Sequence, residues 1–410
     1  MTDQPQRSLE GLRVLDFSQV LAGPVCTAML GALGAEVIRV ENGARLDTMR
    51  RTYAEAGFTA PSFHLANHNK RGISLNLQSE EGVGLAKRLV GISDLVMMNF
   101  RPGVVGRLGL DYETLREQKP DLLMISISGL GQEGPEARYA SYAAIFAALG
   151  GLSYLTGYTD GIPTEWRGSV DHRVGVAALG ACLAGLYRLR NTGLGGHIDL
   201  SGREVQTTLL GDAVLEAQLS ATPPEAMGNE DRIMAPHGCF LSLDADTWVT
   251  LAVGSDAEWQ GFCEAAGSIE LQTDELFGDG YRRWKRSEEL NARAAEWVAT
   301  QHGEDAVARL QQHGVPAALT LRMDQAAANE HLQSRSVWHQ IQLPEVPSEG
   351  VPFRPQVSMI GAPWSFNGSR DAYRIEPGPN FAEGNEYVFL ELLGLSREQY
   401  ETLVDSGVIA

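Results

Sequence analysis

Residues 13–41 read RVLDFSQVLAGPVCTAMLGALGAEVIRVE, and this stretch sets the fold class. Arg13–Phe17 is a short apolar run of strand length. Ser18–Pro24 follows as a loop, in which Pro24 suits the first turn of a helix that Gly34 would cap at its far end. Glu36–Glu41, rich in Val and Ile, reads as a second strand. The same alternation continues. Ile73–Leu77 reads as a third strand, and Ser79 caps a helix through Val90 with Glu80 and Glu81 at its positive end. Leu95–Met98 and Leu122–Ser128 supply a fourth and a fifth strand. Strands separated by helices predict an α/β fold whose parallel sheet is covered on both faces. Ligands of such sheets bind at the carboxyl ends of the strands. That rule points to Ser18–Pro24, Glu41–Asn42, Asn99–Gly103 and Ser128–Gly131.

Further along, Asp171–Asn191 is a long helical stretch in which Ala177, Gly180, Ala181 and Ala184 allow close packing. Gly193–Gly196 breaks it, and His197–Leu200 resumes a strand. Pro223, Pro224 and the polar run Gly228–Asp231 read as a linker. Beyond it, Cys239–Leu243 and Trp248–Val253 flank the turn Asp244-Ala245-Asp246 as a β-hairpin. Helical segments follow at Ala257–Ala266, Leu290–Thr300 and Asp305–His313. The expected organisation is a large domain over 1–222, a smaller α+β domain over 223–333, and a return segment over 334–410. The proline-bearing stretch Ser334–Pro363 reads as an extended crossing, and helices at Tyr387–Leu393 and Arg397–Asp405 dock on the large domain.

The chain has 410 residues, 43% apolar and 21% charged, with a formal net charge of −19. Such a field disfavours nucleic acid and anionic membranes, so an anionic ligand needs a local basic pocket. Cys26, Cys182, Cys239 and Cys263 are scattered without metal spacing and fit reduced thiols in a cytoplasmic protein. No apolar run approaches the ~18 residues of a membrane span, and the polar start, Met1–Arg7, has no signal-peptide core. The nine histidines show no ligand spacing, so no metal site is expected.

Each short motif carries two readings. Gly129-Leu130-Gly131-Gln132-Glu133-Gly134 matches GxGxxG after a strand, which would suit a nicotinamide dehydrogenase. Pro135 follows it, and no acidic strand end lies about 20 residues on, so turn chemistry is the better reading. Asn69-Lys70-Arg71 is a cationic run that suits phosphate or surface carboxylates equally. Asn99-Phe100-Arg101-Pro102-Gly103, with Arg107 beyond, suits an anionic tail or a plain strand-to-helix turn. Asp171 opens the long helix, where aspartate is a favoured N-cap. An ionised carboxylate is also a nucleophile.

The order of these segments adds information that none carries alone. Leu9–Phe17, Val20–Pro24, Leu33–Ile38, Asn69–Arg71, Asn99–Gly103, Gly150-Gly151, Asp171 with Gly175, Gly193–Leu200, Gly314–Ala317 and Leu390–Leu395 together resemble the family III CoA transferases. That family includes formyl-CoA, carnitine and succinyl-CoA-dependent transferases and the related α-methylacyl-CoA racemase. The resemblance implies a Rossmann-like large domain, a small domain and two chains interlocked as a dimer, either a homodimer or a hetero-oligomer with a related subunit. It implies Asp171 as catalytic nucleophile, with no metal and no permanently bound cofactor. Acyl-CoA and a carboxylic acid are the implied substrates. Val20 and Ala22, Asn69, Lys70 and Arg71, Asn99, Phe100, Val104 and Arg107 would contact CoA, with Tyr142 beside the nucleophile. Leu21 and Ala143 replace a glutamine and a glutamate of the formyl-CoA branch, and no Gly-rich loop stands between Pro223 and Gly238, which points away from formyl-CoA and oxalate. Tyr142 stands where the racemase branch has a histidine, which removes one of the two bases that racemisation needs. Arg167 or Arg173 beside Asp171 suits a second carboxylate, as in succinate, or stands equally as a surface charge.

Overall fold

The computed structural model describes residues 7–51, 61–164, 169–343 and 356–410. Six strands form its main sheet: β1 (Arg13–Asp16), β2 (Glu36–Glu41), β3 (Lys70–Ser74), β4 (Leu95–Met98), β5 (Leu123–Ser128) and β6 (Gly196–Ser201). Their order is β3-β2-β1-β4-β5-β6, and every neighbouring pair is parallel. Val14 lies opposite Val37 on one side and Leu95 on the other. The order reverses between β1 and β4, the switch point at which doubly wound sheets open a ligand crevice. β3 begins at Lys70, three residues earlier than its apolar run indicates, because the strand opens with a buried lysine that has an ion partner.

Two apolar layers cover the sheet. On one face, helix α1 (Ala22–Ala32) and the long helix Val170–Thr192 pack through Cys26, Leu30, Val174, Ala178 and Cys182 against Val14, Val37, Leu95 and Ile125. The other face buries Leu15, Ile38, Ile73 and Leu89 with Val388, Phe389, Val408 and Ile409, so the C-terminal segment docks there. Tyr387–Leu392 is π-helical, and Arg397–Asp405 is an α-helix opened by a Ser396–Gln399 capping box.

The chain folds as two compact units. The first comprises the chain up to Ser153, the stretch ending at Thr222, and Gln333–Ala410; the second comprises Tyr154–Thr164 and Pro223–Leu332. The excursion at Tyr154–Thr164 departs from the single 1–222 domain expected from sequence. In the second unit β7 (His237–Leu241), β8 (Trp248–Ala252) and β9 (Ala317–Leu319) make an antiparallel sheet. Its apolar layer joins Val249 and Leu251 to Phe262, Leu290 and Leu310 from the helices Asp256–Ala266, Ser287–Val298 and Gly303–Gln312. The return segment carries its own antiparallel pair, β10 (Trp338–Gln342) and β11 (Gln356–Ile360), where a plain extended crossing was expected. No described helix is long and apolar enough to cross a membrane.

Candidate active site

The switch point is closed by side-chain bonds. Asn99, just past β4, accepts a hydrogen bond from the Gln19 N–H at 2.8 Å and donates to the Gln19 carbonyl at 2.7 Å. Beneath this loop Asp16, at the end of β1, is fully buried. Its carboxylate accepts from Lys70 Nζ at 2.9 Å, Thr27 Oγ1 at 2.6 Å, the Ser18 N–H at 2.9 Å and the Ser18 hydroxyl. Burial alone would raise the Asp16 pKa, but Lys70, Arg39 and the two hydroxyls hold it below the ordinary value. Burial pulls Lys70 down to about 8 against the opposing charge of Asp16.

Helix packing places Asp171 at the same edge of the sheet. The long helix runs back to β6, whose parallel strand begins at the amino edge, so the helix begins at the carboxyl edge. One turn in, a Cβ on Gly175 would stand 2.9 Å from the Ala22 carbonyl oxygen and 3.0 Å from Val25 Cγ1. Only glycine lets the long helix cross α1 this closely. Asp171 lies four residues before Gly175, hence on the same helix face and ~6 Å further toward the loop. Ser169 occupies the N-cap and makes no side-chain cap bond, while Asp171 sits in the first turn. Among the described residues no hydrogen-bond donor is recorded on the Asp171 carboxylate. Burial raises its pKa above the ordinary value, with His172 pulling the other way. A helix N-terminus by itself favours the ionised form; the net shift here is upward, and burial is its largest cause. Ser128 Oγ at the end of β5 and Ser169 Oγ are buried without partners among the described residues. These are unspent hydrogen-bonding groups at the same edge of the sheet.

The other expected contact residues fall into three groups. Val20 (41% exposed) and the half-buried Ala22 flank the crevice with Asn99, Phe100, Val104 and the exposed Arg107. Val104–Arg107 forms one helical turn after Gly103. Tyr142 is 78% exposed and starts the helix Ala143–Leu149, whose Phe146 and Ala147 share an apolar layer with Val170 and Val174. The third group, Asn69-Lys70-Arg71, sits at the amino end of β3. Asn69 bonds the His68 ring at 2.6 Å and the Glu376 N–H at 3.3 Å. Arg71 lies 3.8 Å from Glu36 with its guanidinium over the Tyr387 ring. Lys70 is committed to Asp16 and Asn67 and is not presented to solvent, contrary to its expected place on a phosphate. Arg173 is half-buried in the helix's first turn, and Arg167 lies outside the described residues. No helix begins at Gly129–Gly134: the first one after β5 starts at Ala143, and the Gln132 N–H bonds Asp199 at 2.8 Å, so the dinucleotide geometry is not formed.

Sequence reading placed Ser128 at the sheet's carboxyl edge but missed Asp16, Arg39 and Ser169 as site-edge residues. The signal existed in the first two, because a charge inside an otherwise apolar strand must find a partner.

Residues 9–383 match CoA-transferase family III. The chain is 31% identical to the succinyl-CoA–D-citramalate CoA-transferase of Chloroflexus aurantiacus, with 100% of each chain covered. It is 30% identical to the succinate–glutarate CoA-transferase of Agrobacterium fabrum, over 97% of this chain and 99% of that one. A crystal structure of a CaiB/BaiF family protein from Brucella suis superposes with a TM-score of 0.80 at 28% identity, over 94% of this chain and 100% of that one. The chain belongs to CoA-transferase family III. It is an enzyme of the CoA-transferase type.

Proposed function

We propose that the protein moves CoA from an acyl-CoA to a free carboxylic acid through covalent intermediates on Asp171. The observation that carries this reading is the Asp171 carboxylate itself. It is partly desolvated and raised in proton affinity, it has no recorded donor among the described residues, and it stands at the carboxyl edge of the sheet. A cap or a structural ion pair would have a partner; a nucleophile needs its lone pairs uncommitted. Asp171 attacks the donor thioester carbonyl and expels CoA thiolate, giving a mixed anhydride. The thiolate attacks the aspartyl carbonyl of that anhydride and releases the donor acid, leaving an aspartyl-CoA thioester. The acceptor carboxylate attacks this thioester and again expels the thiolate. The thiolate then takes the acceptor's acyl group and frees Asp171.

In this reading Val20, Ala22, Asn99, Phe100, Val104 and Arg107 line the path of CoA, on a Rossmann-like core, with Tyr142 over the reacting end. Lys70 acts from below, by fixing Asp16 and so the loop. Succinyl-CoA is the proposed donor. The names of the two relatives above both involve four- or five-carbon dicarboxylates, and Arg173 sits two residues from Asp171. Incubation with succinyl-CoA and hydroxylamine should convert the activated Asp171 to a hydroxamate, a gain of about 15 mass units. A gain only with monocarboxyl acyl-CoAs would keep the mechanism and overturn the donor. No gain with any acyl-CoA would overturn both and leave an isomerase on this fold.

The dimer is also proposed. Gly211–Leu219 is a helix with no buried residue, and Leu215 and Leu219 are 62% and 88% exposed. Tyr187 on the long helix is 74% exposed. A helix of this length does not persist in water without packing, and a second copy of the chain would cover this apolar face. Light scattering should therefore give twice the 44.4 kDa chain mass. The single-chain mass would overturn the dimer, and a requirement for a second, related chain would replace it with the hetero-oligomer. The acidic composition and scattered thiols fit a cytoplasmic setting.

A further inference from the structure

We infer that Asp47 is a positioning residue for acyl-CoA binding: it holds Val20 in a left-handed backbone conformation and thereby fixes the loop that enters α1. The inference rests on the CoA-transferase reading above, which places Val20 and Ala22 against the nucleotide.

Val20 has φ +66°, a region that β-branched residues avoid. Such a conformation persists only where the surroundings over-determine it, and it tends to mark functional sites. The surroundings here do so. Asp47 Oδ2 accepts the Val20 N–H at 2.9 Å. The same oxygen accepts from Arg39 Nη2 at 2.7 Å, and Oδ1 takes the Met49 N–H at 2.8 Å. Asp47 and Arg39 are both buried. Arg39 also reaches the Ser18 carbonyl at 3.3 Å and Asn67 at 2.6 Å. Asn99 holds both sides of the Gln19 peptide, and Asp16 holds the Ser18 N–H. Three consecutive residues are thus each gripped by buried or half-buried side chains from separate elements. The loop also folds back tightly on the first turn of α1, since a Cβ on Gly23 would come within 2.4 Å of Ser18 Cβ.

A buried ionic cluster is a poor way to stabilise a fold, because apolar residues of the same volume do as well or better. Here Arg39 joins Asp47 and Glu41, and Glu41 joins Arg50, all beneath one loop. What the cluster provides is a loop of one shape at the N-terminus of α1.

The test compares CoA affinity and steady-state rates for the wild type, Asp47→Ala, and Asp47→Ala combined with Val20→Gly. Asp47→Ala should weaken CoA binding and raise the acyl-CoA KM by about tenfold or more, the scale of a lost charged hydrogen bond. kcat at saturation and hydroxamate formation at Asp171 should change by less than about threefold. Adding Val20→Gly should recover most of the affinity, because glycine adopts positive φ without a clamp. A merely structural role for Asp47 would not be rescued by a change at Val20. Should Asp47→Ala fail to fold, Asp47→Asn, which keeps an acceptor for the Val20 N–H and removes the carboxylate charge facing Arg39, should keep CoA affinity within about threefold, and a loss of about tenfold there would overturn the proposal. Unchanged CoA affinity in Asp47→Ala, or no recovery on adding Val20→Gly, also overturns it and leaves the transferase reading standing. A wild type that binds no CoA overturns both.

Discussion

Asp171→Asn is expected to remove CoA transfer by at least about 10⁴-fold, the usual cost of deleting a covalent nucleophile, while the protein folds and melts no lower than the wild type. The two halves of that result follow from one fact. The Asp171 carboxylate is partly buried, and burial raises its pKa above the unfolded value. Between those two values the folded state binds more protons than the unfolded state, so stability falls as pH rises. Above both, ionised Asp171 costs stability in full. Asparagine carries no charge to desolvate, so the variant should gain most over the wild type at neutral pH and least below the ordinary carboxylate pKa. Thermal melts at pH 7 and pH 3.5, beside a transfer assay, check both halves. A variant that loses activity together with stability would mark Asp171 as a helix-end residue, since losing a negative charge from the first turn of a helix costs stability.

Lys70→Met should lower stability by about 3–5 kcal/mol, the cost of stripping one partner from a buried ion pair. Asp16 would keep its hydroxyl and backbone donors but lose the ammonium at 2.9 Å in a site closed to water. On the scale of ~2–4 °C per kcal/mol for domains of 150–250 residues, the melting point should drop by about 10 °C. Adding Asp16→Asn should return part of the loss, because it removes the stranded charge. Were Lys70 a phosphate ligand at the surface, the methionine variant would melt normally and lose only CoA affinity. Melting curves of the single and double variants separate these cases.

Much of the sheet was legible in the sequence because its strands are nearly continuous apolar runs, as strands covered on both faces must be. Glu36–Glu41 and Leu95–Met98 lie where those runs place them. What escaped was structure held by charge. The start of β3 hides behind Lys70, which looks like a surface residue until Asp16 is beside it. Asp47 sits in a polar loop whose composition reveals nothing of its bond to Val20. The short helices Gly202–Leu209 and Gly211–Leu219, which bury two residues and none within this chain, span too few turns for a helical period to stand out in the sequence. Asp171 was visible as a residue but ambiguous as a role. Ser169 holds the N-cap, and Asp171 stands about one turn before the close passage at Gly175, which moves it from cap to candidate nucleophile.

The C-terminal docking has a consequence for how this chain is made. The Ser74 N–H bonds Asn385, 311 positions downstream, and Phe389 and Ile409 close the apolar layer over β2 and β3. A nascent chain leaving the ribosome therefore carries Ile38, Ile73 and Leu89 uncovered while the intervening residues are still being translated. Loop-closure entropy grows only logarithmically with such a separation, so the finished fold loses little by it. The delay is paid in time, as a long interval in which sticky strands are open to aggregation and to chaperones.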